Sequence, residues 1–338
     1  MFWIFSGFRH LPACLLAMGI AAAAFVAHYV MNSLDPQSIL SFRAFGGVVS
    51  LRHWVHGSLG ILILTATGWL LNGSFQPQRP GGTRNSLYLL CYVLLALTLT
   101  RISELPGASL LGFLFALSIS ALQQATFQKR PEPLLAVAGS LMAFLVVLHP
   151  VAYPWLPILL FMVVLVAEFP VRMVFVYGVG VLIVPYLWFS SLFLAGRPGP
   201  FQCWEGFVAW TTQSACEISP PDVWLLVVAT LPVFWGVLTT LINRPSRTRI
   251  SRSTQRQMGI LLVSGFCLLI LAATRRIPCR WEQQVGFMLP ALTYFAARGL
   301  ERVSPGLYPE LVLWVWVALV CGAAEGLNLW VFSSFLPL

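Results

Sequence analysis

Eleven apolar runs follow one another along the chain, and charge is confined almost entirely to the short stretches between them. The runs fall at roughly residues 11–31, 54–71, 87–101, 109–124, 134–149, 152–168, 173–195, 222–242, 258–274, 284–299 and 310–333. A helix rises about 1.5 Å per residue and the hydrocarbon core of a bilayer is about 30 Å thick, so about 20 apolar residues cross it. Several runs have only fifteen to eighteen residues. Those suit a thin membrane, or helices broken at a proline, as at His149-Pro150 and in Tyr153-Pro154-Trp155-Leu156-Pro157. Residues 134–168 therefore read either as two short helices or as one re-entrant pair, and the expected number of spans is about eleven, between ten and twelve.

Composition says what solvent such a chain requires. Hydrophobic residues make up 58% of it and charged residues 9%, with a mean hydropathy of +0.83. A soluble domain carries about 25% charged residues because its surface must face water. This chain has too few to cover itself, so lipid is the expected medium. The expected fold class is all-α: an integral membrane bundle with short loops, a single transmembrane domain over residues 1–338 and a cytoplasmic N-terminus. Residues 11–30, apolar and rich in small side chains, resemble a signal peptide in outline. Their length suits a first membrane helix better.

The net charge of +9 does not point to nucleic acid. Nineteen of the twenty basic residues are Arg, and they sit in clusters between apolar runs, as charges do that orient a protein in a membrane. The stretch Asn243 to Gln257 holds five Arg and no acid and is placed in the cytoplasm. Counting spans outward from it leaves thirteen basic residues inside and seven outside. The outer seven include Arg43, Arg52 and the dense group Arg275, Arg276 and Arg280.

Those exceptions carry the candidate chemistry. Asp35 stands just past the first run, followed by an interfacial stretch containing Arg43 and Arg52. A carboxylate there can act as a base toward an acceptor hydroxyl, and guanidinium forks suit a phosphate. The bland alternative is that Asp35-Pro36 caps a short interfacial helix. Arg275, Arg276 and Arg280 could bind an anionic headgroup or pair with Glu205, Glu217 and Asp222. Cys203 and Cys216 share one outer loop with twelve residues between them, a disulfide candidate in an oxidising compartment. Cys14, Cys91, Cys267 and Cys321 fall within spans and read as small apolar packers. Glu325 is the one acid well inside an apolar run, and a carboxylate in lipid is a functional candidate by default. Glu168 and Arg172 flank Pro170 at spacing for an i, i+4 pair. His53 and His56 share a helical face but lack an adjacent acid, so no metal site is assigned. No phosphate-cradling glycine loop, His-Glu-x-x-His or nucleophile elbow is present, and no cofactor is implied.

Several apolar segments resemble a family of polytopic inner-membrane proteins of Bacteroidota to which no activity is assigned. They are Leu87-Tyr-Leu-Leu-Cys-Tyr-Val-Leu-Leu-Ala, Leu110-Leu-Gly-Phe-Leu-Phe-Ala-Leu, the turn His149-Pro150, the segment opening Arg172-Met-Val-Phe-Val-Tyr, and Gly286-Phe-Met-Leu-Pro-Ala-Leu-Thr-Tyr-Phe. The resemblance implies a setting in the bacterial inner membrane and supplies no catalytic residues. From the residues, the leading expectation is envelope glycan or lipid-linked transfer, glycosyltransferase-like, with a polyprenyl-phosphate-linked sugar as donor. The competing expectations are a non-catalytic scaffold or assembly subunit beside other envelope membrane proteins, as in a secretion or motility complex, and a small-solute or lipid transporter resting on Glu325.

Overall fold

A computed structural model describes residues 10–31, 39–44, 47–75, 86–100, 105–126, 128, 130–149, 152–166, 170–194, 231–240, 249–273, 281–301 and 314–316. Within these lie ten helices of ten residues or more: α1 (His10–Met31), α2 (His53–Phe75), α3 (Leu87–Leu99), α4 (Leu105–Ala125), α5 (Glu132–Leu148), α6 (Trp155–Val166), α7 (Pro170–Leu194), α8 (Leu231–Thr240), α9 (Arg249–Ala273) and α10 (Trp281–Glu301). Each coincides with one of the first ten apolar runs. Between α1 and α2 stands a two-stranded antiparallel hairpin of β1 (Ile39–Ala44) and β2 (Gly47–Arg52). The region expected to be either two short helices or one re-entrant pair holds the two helices α5 and α6.

Two helices occupy the centre. In α3 every residue from Leu87 to Thr98 is buried. A helix apolar on all sides has no face to offer water, and it is stable only when wrapped by others. Here α1, α2, α4 and α10 wrap it. Helix α10 is covered almost as completely, from Gln284 to Ala297, by α3, α4 and α9. At 13 residues α3 is about 20 Å long, too short to cross hydrocarbon by itself. At its C-terminal end the hydroxyls of Thr98 and Thr100 donate to the carbonyls of Leu94 and Ala96.

Small residues set the distances between helices. One stripe of α1 buries Ala13, Ala17, Ala21 and Ala24, and α1 packs on α2 and α3. Helices α5 and α7 cross so closely that a Cβ on Gly180 would lie 2.2 Å from the Ala136 carbonyl oxygen, and one on Gly139 would lie 2.4 Å from that of Tyr177. Gly236 of α8 meets the Phe295 carbonyl of α10 in the same way. Small residues at helix crossings are what association in lipid selects, since packing rather than water exclusion holds the helices together. Hydroxyls add cross-links: Ser118 Oγ donates to the Ala138 carbonyl at 2.9 Å, and Ser140 Oγ to the Gly180 carbonyl at 3.0 Å.

Among the described residues two helices contain segments long and apolar enough to cross a membrane, Gly57–Phe75 in α2 and Pro170–Ser191 in α7. Half of the first is buried and only 17% of the second. Helix α7 displays Phe175, Leu182, Tyr186, Leu187, Phe193 and Leu194, each more than half exposed. The arginine-rich stretch is not all loop. Arg249, Arg252 and Arg256 lie on the first turns of α9, where the helix runs past its apolar part and Arg256 is exposed.

Candidate functional site

The hairpin is the part of the predicted site that the structure describes. Its register pairs Ile39 with Arg52, Ser41 with Ser50 and Arg43 with Val48. Partners across an antiparallel pair share a face and neighbours along a strand alternate. By register Arg43, Arg52, Ser41 and Ser50 therefore share one face with Ile39 and Val48, while the pairs Leu40–Leu51, Phe42–Val49 and Ala44–Gly47 belong to the other. Four residues separate Ile39 from Arg43, so the two arginine positions stand about 14 Å apart along the strand direction. Sequence reading treated 32–53 as a loop and missed this. The alternation Leu-Ser-Phe-Arg-Ala followed by Val-Val-Ser-Leu-Arg was the available signal. The hairpin packs against α2, which β2 enters directly, and β1 also touches α4. Asp35, Arg275, Arg276, Arg280, Glu325, Cys203, Cys216, Cys321 and Glu168 lie outside the described residues.

Two polar clusters inside the bundle were not foreseen. The first sits where α6 and α10 begin. Trp155, fully buried, donates from Nε1 to Gln284 Oε1 at 3.2 Å. Around the indole, the rings of Phe115 and Phe287 lie 5.3 and 5.5 Å away, with Phe115 edge-on to both. The arrangement satisfies the buried indole N–H, as such groups require. It pins α4, α6 and α10 to one another.

The second cluster closes the opposite end of α10. The Arg298 guanidinium lies 5.6 Å from the centre of the Tyr294 ring and donates to Glu301 Oε2 at 3.2 Å. Phe75 and Tyr88 complete the aromatic wall, with Phe75 5.4 Å from Tyr294 and 5.5 Å from Tyr88. Beside them the Ser74 and Ser120 hydroxyls bond at 2.6 Å between α2 and α4, and Gln124 Nε2 donates to Ser120 at 3.3 Å. Arg298 in the last turn also complements the carbonyl end of the helix. Polar residues within an apolar run were the signal for both clusters: Gln123-Gln124, Gln284 and the row Tyr294, Arg298, Glu301 at i, i+4, i+7. Neither cluster contains a nucleophile beside a base, and among the described residues no three His, Cys, Asp or Glu gather as metal ligands.

The expected pairing of Arg172 with Glu168 rests on a residue outside the described ones, and one expectation, for Cys267, changes. Arg172 pairs with Glu132 of α5, Nη2 to Oε1 at 2.8 Å, because α5 and α7 begin at the same end of the bundle. Cys267 is exposed on α9 instead of packed, whereas Cys91 is buried as expected and Cys14 is half-buried. No known family, curated protein or solved structure matches the chain.

Proposed function

We propose that this chain is a multi-pass protein of a bacterial inner membrane that binds a polyprenyl-phosphate-linked sugar at its outer face and takes part in envelope glycan or lipid-linked transfer. The membrane half of the reading draws on α7. A strongly apolar 22-residue segment of which only 17% is buried is an extreme hydrophobic patch in water and an ordinary lipid-facing helix in a bilayer.

The functional half is carried by one observation, the hairpin register that gives Arg43 and Arg52 a common face at the start of α2. Four apolar residues on the other face suit a hairpin lying against the bundle or in the headgroup region. Arginines on the first face suit a phosphate ester. Asp35, four residues ahead of β1 in sequence, is the proposed base. It takes the proton of an acceptor hydroxyl, the hydroxyl oxygen forms the new bond to the sugar's anomeric carbon, and the bond to the lipid phosphate breaks. Polyprenyl phosphate leaves with that electron pair, its charge held by Arg43 and Arg52, with Arg275, Arg276 and Arg280 as further contacts.

A second reading, a non-catalytic assembly subunit, is favoured by the end of α7. Tyr186, Leu187, Trp188 and Phe189 are consecutive and all exposed, so beyond Pro185 the helix has uncovered surface on every side. One experiment separates the two. Asp35→Asn, Arg43→Gln and Arg52→Gln are compared with wild type for envelope glycans and for what co-purifies in mild detergent. Transfer predicts lost product with expression intact and a lipid-linked sugar retained by Asp35→Asn. Normal glycans in the Asp35→Asn strain, with stoichiometric protein subunits in the eluate, would replace it with the second reading.

A further inference from the structure

Pro290 interrupts the hydrogen-bond ladder of α10 in the middle of the bundle. Proline has no N–H, so the carbonyl of Gly286, four residues earlier, lacks its helical donor. The surroundings are closed: Phe287, Met288, Leu289 and Ala291 are all buried. A buried carbonyl in that position is costly until something donates to it.

A donor stands beside it. A Cβ built on Gly112 of α4 would lie 3.5 Å from the Gly286 carbonyl oxygen and 2.9 Å from the Tyr92 hydroxyl of α3. Both polar groups thus flank the one point that Gly112 leaves open. Tyr92 is fully buried, and its hydroxyl meets hydrogen-bond geometry with no group among the described residues. The Thr67 hydroxyl of α2 is its other neighbour, and that proton is already donated to the Ile63 carbonyl at 2.7 Å. A buried hydroxyl and a carbonyl that lacks its helical donor thus share one notch, and Thr67, whose hydroxyl also interacts with that of Tyr92, offers Oγ1 as the competing acceptor.

We propose that Tyr92 is the latch of a hinge in α10 at Pro290. Turned toward α10, its hydroxyl donates to the Gly286 carbonyl and closes the gap in the ladder. Turned toward α2, it donates to Thr67 and leaves α10 able to bend. The hinge joins two anchored halves, one held by Gln284 on Trp155 and the other by Tyr294 and Arg298 among the tyrosines. Bending there moves one end of the bundle relative to the other. Gly112 is required because any side chain would fill the notch.

The test is amide hydrogen exchange of α10 in the full-length protein in detergent, for wild type, Tyr92→Phe, Pro290→Ala and the double variant. Tyr92→Phe speeds exchange over residues 286–297 by roughly fivefold, the factor expected for one lost hydrogen bond. Pro290→Ala supplies the missing N–H and slows exchange, and Tyr92→Phe then has no further effect. An equal effect of Tyr92→Phe in both backgrounds, or none in wild type, overturns the proposal by reducing Tyr92 to a packing residue. Gly112→Ala provides a second route. It mimics Tyr92→Phe if the notch is the latch, and leaves exchange unchanged if it is not.

Discussion

Replacing Gly180 by Ala tests the packing logic with one added methyl group. By helix propensity alone the change is favourable by about 1 kcal/mol. Sterically it is not, because the new Cβ would stand 2.2 Å from the Ala136 carbonyl oxygen and 3.0 Å from two further backbone atoms, where ordinary contact begins at 3.4 Å. Backbone cannot rotate aside as a side chain can, so α5 and α7 must separate by about 1 Å. Overpacking of this kind costs about 1–3 kcal/mol. The same movement stretches the Ser140–Gly180 hydrogen bond of 3.0 Å, and interhelical bonds in membranes are worth about 0.6 kcal/mol on average. The surface ion pair of Arg172 and Glu132 adds little to the balance. The net expectation is a loss of about 1–2 kcal/mol, taking the propensity gain into account. Gly178 is the internal control, since nothing lies within 4 Å of the position its Cβ would take. Gly178→Ala keeps the propensity gain and should be neutral or slightly stabilising. Unfolding by titrating a denaturing detergent into mild micelles, followed by the fluorescence of the thirteen tryptophans, compares the two directly. Gly180→Ala at least as stable as Gly178→Ala would refute the close crossing.

Trp155→Phe removes the donor to Gln284 and leaves a buried amide oxygen unpaired, so it should cost about 1–3 kcal/mol in the same titration. Adding Gln284→Leu should recover much of that loss, because the unpaired group is then gone; a double variant no better than the single one contradicts the assignment. With Cys267 kept as the sole cysteine, an apolar maleimide should label it in intact membranes while a charged one should not, which mass spectrometry reads. Equal labelling by both would place that face of α9 in water.

Helix identity and order were legible because an apolar run between charged clusters has few other outcomes, and all ten described helices of ten residues or more fall on predicted runs. Helix ends were less legible. At α9, Arg249 and Arg252 look like loop in a hydropathy reading, yet the helix continues through them because backbone hydrogen bonding does not stop where apolar side chains do. The hairpin was missed because six-residue strands in a loop leave only a short alternation. Which runs are central could not be read either. Leu87–Leu99 is more apolar than α7 but Trp281–Glu301 is much less so, and yet both are buried where α7 is exposed, so burial follows from helix–helix contacts that hydropathy does not encode. The Trp155–Gln284 bond joins residues 129 positions apart, beyond any local pattern. Glycines marked close approach only once their neighbours were known: a Cβ on Gly180 would run into backbone and one on Gly178 would meet nothing within 4 Å.

The most direct test of the whole account is where the chain resides and what keeps it in solution. Lipid as its surrounding medium predicts that it stays with the membrane fraction through alkaline and urea washes, is released only by detergent, and aggregates when the detergent is removed. A monodisperse species in aqueous buffer free of any amphiphile would contradict that, and the exposed apolar surface of α7 would then need another covering.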